Sequence, residues 1–97
     1  MVTKRKLAAQ FETAIIDDYY KWRATLEAGD RSGVRYKGMI TRFGAVGTMR
    51  RLLASSVNRR KREQFGVEEF VVLRRFRRLF TKAEILEAED RLRLING

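Results

Sequence analysis

The chain of 97 residues has no cysteine, no histidine and no proline. Without cysteine there is neither a disulfide framework nor a thiolate metal site. Without histidine there is no imidazole ligand and no proton shuttle that works near neutral pH at its ordinary pKa. Much ordinary catalysis is excluded with them, and no cofactor and no metal is expected. The lack of proline, and of any Asn-Gly or Asp-Gly pair set between two apolar runs, favours helices over sheets, as does the abundance of Arg, Leu, Ala and Glu. Long apolar runs are missing too. The start, Met1-Val-Thr-Lys-Arg-Lys, has the charge of a signal n-region, but Glu12, Asp17 and Asp18 interrupt the next segment before an apolar run of roughly 7–15 residues can form. Nothing approaches the roughly 20 apolar residues of a membrane span. The expectation is a soluble, cytoplasmic protein with no membrane partner, and at 44% hydrophobic composition its length suits one domain with a modest core.

Acidic residues are absent from one long stretch. Residues 34–62 hold nine bases and no acid, residues 1–33 hold six bases and five acids, and the tail after Arg78 holds three bases and four acids. Between Val34 and Arg78 thirteen bases face only Glu63, Glu68 and Glu69, so this segment carries the whole net charge of +10. Such segregation is the footprint of a polyanion partner. Arginine outnumbers lysine 16 to 6, which favours forked contacts to phosphate or carboxylate over diffuse attraction. The candidate binding residues are Arg35, Lys37, Arg42, Arg50, Arg51, Arg59, Arg60, Lys61, Arg62, Arg74, Arg75 and Arg78.

The apolar spacing predicts an all-α bundle of about five helices. Leu7, Phe11, Ala14, Ile15, Tyr19, Trp22 and Leu26 recur at helical steps, giving a long first helix from Lys4 to Ala28, N-capped by Thr3 and ended by Gly29. At about 35 Å it is long for so small a domain. Asp30-Arg-Ser-Gly33 is a loop. A second helix runs from Val34 to Phe43 with Tyr36, Met39, Ile40 and Phe43 on one face, weakened by Gly38 and ended by Gly44. A third runs from Ala45 or Thr48 to Ser55 with Val46, Met49, Leu52 and Leu53 toward the core. Asn58 to Arg62 has no apolar period and reads as a loop. Val67, Phe70, Leu73, Phe76 and Phe80 resume helical spacing, with a break near Arg74 or Arg75. Thr81-Lys-Ala-Glu84 is a capping box opening a last helix whose stripe is Ile85, Ala88, Leu92 and Ile95, with Arg91 and Arg93 favoured by the dipole at its end.

Several patterns admit a functional use. Gly44-Ala-Val-Gly47 between two helical patterns fits a helix-turn-helix, with Thr48 to Ser55 as recognition helix, or the GXXG loop of a KH-like module. It also fits a tight turn in which glycine relieves backbone strain. Tyr19, Tyr20 and Trp22 suit a core, a protein interface or a platform on which a base stacks. Neighbours on a helix lie about 100° apart, so one of the two tyrosines faces outward. Together with the length of the first helix, this suggests a homodimer formed through it. Asp17 and Asp18 point to different sides, and Glu84, Glu87 and Asp90 are interleaved with bases, so no carboxylate pair supports an enzyme.

From about Tyr36 to Leu92, the residues Gly44, Leu52, Leu53, Glu68 or Glu69, Leu73, Phe76, Leu79, Phe80, Thr81, Glu84 and Leu92 follow one order. A glycine-hinged helix pair ends in a double leucine, and a short acidic-apolar helix and a Leu-Phe-Thr-x-x-Glu capped helix come after it. In this order the chain resembles small uncharacterised bacterial helical proteins. The resemblance implies the helical layout and no particular function, and the chain departs from it between Asn58 and Gly66.

The expected function is a non-catalytic module that contacts nucleic acid, DNA or RNA, through its Arg-rich centre. The alternative is a protein-interaction module or inhibitor of phage or mobile-element type, docking on an acidic or nucleic-acid-handling protein. Replacing Arg59, Arg60, Lys61 and Arg62 with serine is predicted to leave the thermal melt unchanged. In binding titrations it should lower the log-log salt slope by about one unit for each phosphate that is no longer neutralised.

Overall fold

The computed structural model describes residues 3–31, 33–54 and 67–96, and among these residues every regular element is helical. Helix α1 spans Lys4–Arg23, α2 Val34–Ala54, α3 Val67–Val72 and α4 Lys82–Asn96, with a 3-10 turn at Arg77–Leu79. The all-α expectation stands. The count among the described residues is four α-helices rather than five, because the expected second and third run as one element bent at Gly44. The expected loop at Asn58–Arg62, residue Ser55 and the side chain of Ile95 lie outside what is described.

Helix α1 starts as its sequence dictates, with the Thr3 hydroxyl accepting from the Lys6 amide at 3.1 Å. Leu7, Phe11, Ile15 and Tyr19 recur every fourth residue and are buried. The helix stops at Arg23 rather than Ala28. The Thr25 hydroxyl donates to the Trp22 carbonyl at 2.6 Å, and the amides of Thr25 and Leu26 fold back onto Trp22 and Arg23 at 3.0 and 3.1 Å. A hydroxyl that bonds nearby backbone competes with helix continuation. Gly29, with φ of +89°, therefore lies in the turn beyond and not at the helix end. Twenty residues make about 30 Å of helix, which fits within the molecule's 42 Å long axis, so the length argument for pairing through α1 no longer applies.

Helix α2 bends at Gly44, whose φ of 76° and ψ of 166° lie in a region open to little besides glycine. Tyr36 and Ile40 are buried before the bend, and Ala45, Thr48, Met49 and Leu53 after it. The second half needs its own N-terminal partner, and α1 supplies it: Glu12 Oε1 accepts from the Ala45 amide at 3.0 Å. A carboxylate suits this place because the amides there are unpaired and the dipole is positive. Glu12, expected on the solvated side of α1, is half-buried by this task.

The core centres on Phe11, which meets Phe76 and Phe80 edge-on at centroid distances of 5.1 and 5.3 Å. The expected capping box is formed. The Glu84 amide donates to Thr81 Oγ1 at 3.1 Å and the Thr81 amide to Glu84 Oε1 at 2.7 Å. The segment before it differs from expectation: α3 ends at Val72, earlier than Arg74, because Leu73 to Leu79 wind into turns.

Arg91 corrects the reading of α4 most. It is not at a solvated helix end but only 2% exposed. Nη1 and Nη2 each donate at 2.8 Å, to the carbonyls of Leu52 and Leu53, and Nε donates to Glu87 Oε2 at 2.7 Å. Glu68 Oε1 of α3 stands 4.0 Å from Nη1. One guanidinium thus closes the last carbonyls of α2, which have no helical partner, and holds α3 and α4 to them. Arg91→Met, close in length and uncharged, leaves these carbonyls and Glu68 unanswered. In urea unfolding it should lose about 3–5 kcal/mol of stability.

Candidate polyanion interface

The exposed residues Arg35, Arg42, Arg50 and Arg51 and the half-buried Lys37 stand on α2, and the exposed residues Arg74, Arg75 and Arg78 lie between α3 and α4. The expected contacts at Arg59, Arg60, Lys61 and Arg62 fall outside the described residues. On the first half of α2, Arg35 and Arg42 are seven positions apart and share a face that Lys37 does not.

Hydrogen bonding divides these cations into two groups. Arg50 is committed within the fold: Nη2 donates to the Leu79 carbonyl at 2.9 Å and Nε pairs with Glu84 Oε2 at 3.2 Å, joining α2 to the 3-10 turn and to the α4 cap. Arg77 likewise donates from Nε to the Val72 carbonyl at 2.8 Å. Arg42 and Arg51 behave otherwise. The guanidinium carbon of Arg51 lies 3.8 Å from the centroid of the Phe43 ring and that of Arg42 lies 5.2 Å from it. Neither has a hydrogen bond or ion pair among the described residues. Two like charges share one half-buried ring and neither is in an ion pair among the described residues, so their N–H edges are unused there. Arg75 lies over Phe76 at 4.5 Å, but that ring is fully buried.

The bend builds this cluster. Gly44 turns the chain after Phe43, and Gly47 leaves room for the ring's base, since a Cβ there would stand 3.3 Å from Phe43 Cβ. Phe43 was expected to face the core with Tyr36, Met39 and Ile40. The missed signal is the spacing of Phe43 and Arg51 across a glycine. The bend is a single residue, whereas a helix-turn-helix needs a turn of three or four. In the expected recognition helix Thr48 and Met49 are buried and Arg50 is committed, leaving Arg51 as its exposed, uncommitted cation. A KH-like module needs strands, and none occurs among the described residues. The tight-turn reading fits Gly44, while Gly47 has ordinary helical backbone.

The aromatic group at the other end of α1 is mostly internal. Tyr19 is buried among the rings of Tyr20, Trp22 and Tyr36, at 5.4, 6.1 and 5.9 Å. Trp22 is half-buried against Gly33, where a Cβ would fall 2.6 Å from the indole. Tyr20, at 56% exposure, is the one of the expected interface trio that faces outward.

The carboxylates are scattered. Burial pushes the Asp18 carboxyl above its ordinary pKa, and Lys21 pulls it partly back. Glu84 serves the cap and Arg50, Glu87 serves Arg91, and Asp90 pairs with Arg93. Among the described residues no group of three or more acids is placed to hold a metal ion, and no helix is long and apolar enough to cross a membrane. No protein-family model, curated protein or solved structure matches this chain.

The glycines of α2 should respond oppositely to alanine. Gly38 is exposed and helical, and a Cβ added there would meet nothing within 4 Å, so Gly38→Ala should raise stability by about 0.5–1 kcal/mol. Gly44→Ala forces a side chain into positive φ and should lower it by about 1–3 kcal/mol. Paired urea melts check both signs.

Proposed function

We propose that this protein is a non-catalytic binding module that holds a polyanion, nucleic acid foremost, through the arginine-rich surface of α2. The observation that carries this is the pair of guanidiniums of Arg42 and Arg51 on Phe43, without hydrogen bonds or ion pairs among the described residues. Such an arrangement is costly in isolation and becomes favourable when phosphate oxygens arrive at the N–H edges. Exposed Arg35, Arg74, Arg75 and Arg78 and half-buried Lys37 add positive potential from the same chain segment, which holds the full surplus of +10. Arg50 is set aside because its donors are used inside the fold. A repeating phosphate chain matches several separated, forked cations better than a single small anion would.

A second reading comes from exposed Tyr20: a protein-interaction module or inhibitor that docks on an acidic or nucleic-acid-handling protein, its guanidiniums taking carboxylates and Tyr20 the apolar contact. Self-association through α1 rests on Tyr20 in the same way.

Salt separates the two. Anisotropy titrations of a labelled oligonucleotide at several salt concentrations should give a steep log-log slope. The double variant Arg42→Gln with Arg51→Gln should lower it by about two units, close to one for each phosphate released from an arginine. A flat slope, unchanged in the variant, would favour the protein partner.

A further inference from the structure

Resting on the polyanion reading, we infer that Arg51 stacked on Phe43 is a platform for an unpaired base, so that the nucleic acid bound at this site is single-stranded. A guanidinium is a plane with weakly hydrated faces and donors only along its edges. The Arg51 guanidinium carbon stands over the Phe43 ring at 3.8 Å from its centroid, the separation of a face contact, and the residue as a whole is exposed. In this arrangement the face turned away from the ring is the one a base would meet. The edges hold no partner among the described residues. Binding phosphate alone requires edges, and a loosely tethered lysine or arginine provides them. What the Phe43 contact adds is a fixed plane at a fixed height.

Three features hold that plane in place. Phe43 is half-buried and its base lies against the position of Gly47, which has no side chain to displace it. The second half of α2, which carries Arg51, begins at the amide bonded by Glu12 and ends at the carbonyls bonded by Arg91. Arg42, at 5.2 Å from the same ring, supplies a second guanidinium beside the stack, where the phosphate next to a stacked base would lie. A base on the outer face of Arg51 extends the pile of Phe43 and Arg51 by one layer, with its backbone phosphate toward the free edges. Unpaired strands offer open base faces to aromatic rings and guanidinium planes, whereas in a duplex those faces are covered by neighbouring pairs. A duplex can use the edges of this site but not its face.

The test uses the full chain and two labelled probes, an oligothymidylate of about 15 nucleotides and a duplex of about the same length. Phe43→Leu keeps both guanidiniums with their edges and removes the ring that positions the Arg51 plane. It should weaken binding of the single strand about tenfold while leaving the duplex within about twofold, with the wild-type melting temperature retained. Arg51→Lys, which loses the plane and the fork together, should weaken both probes, the single strand the more. Equal effects of Phe43→Leu on both probes, no effect on either, or a wild-type preference for the duplex would overturn the stacking role and leave polyanion binding standing. Failure of the wild type to bind either probe would overturn both.

Discussion

Arg91 lies where the end of α2 and the start of α3 meet α4. A charged group removed from water costs several kcal/mol unless its donors are answered, and here two carbonyls and Glu87 accept from it while Glu68 stands close by. The carbonyls belong to the last turn of α2, which an isolated helix would leave to water. Helices α2, α3 and α4 are thus held at one atom group, and the residues of α2 that face outward owe their positions to it. The arrangement has a cost that remains visible: Glu68 Oε2 is buried with no hydrogen-bond partner among the described residues.

Arginine serves two ends in this fold. Arg50, Arg77 and Arg91 donate to backbone carbonyls at turns and helix ends, where the fork of the guanidinium reaches acceptors that no helix bond satisfies. Arg42 and Arg51 stand over the ring of Phe43 and have no hydrogen bond or ion pair among the described residues. Composition treats all five alike. The difference between Arg50 and Arg51, adjacent in sequence, comes from the roughly 100° step of the helix, which turns one toward Leu79 and Glu84 and the other toward Phe43.

Features that depend on local spacing were legible in the sequence. The four-residue recurrence of Leu7, Phe11, Ile15 and Tyr19, the Thr3 cap and the Thr81–Glu84 box all appear as expected, since each is decided within a few residues. Features decided by distant partners were not. The end of α1 depends on a hydroxyl that takes the Trp22 carbonyl, a choice that helical period does not reveal. Glu12 looks like any solvated acid until the bend at Gly44 presents an amide to it. Arg91 offered a usable sign: it stands three residues after Ala88 on the apolar stripe of α4, and a charge on such a stripe requires buried acceptors. At the candidate site the basic segment was evident, but the Phe43 stack was not, because it requires the bend and the small size of Gly47 together.

The cap on the second half of α2 is borrowed from a residue 33 positions earlier in the chain. Most helices begin on a signal within their own first turn and can flicker into existence alone. This one has its start signal on another helix: the amide of Ala45 meets its acceptor only where α1 is docked. During synthesis α1 is made first, so the accepting carboxylate precedes the donor segment. Chain closure over that distance costs more than a purely local start, and the cap on which the segment carrying Arg51 begins is complete only in the assembled fold.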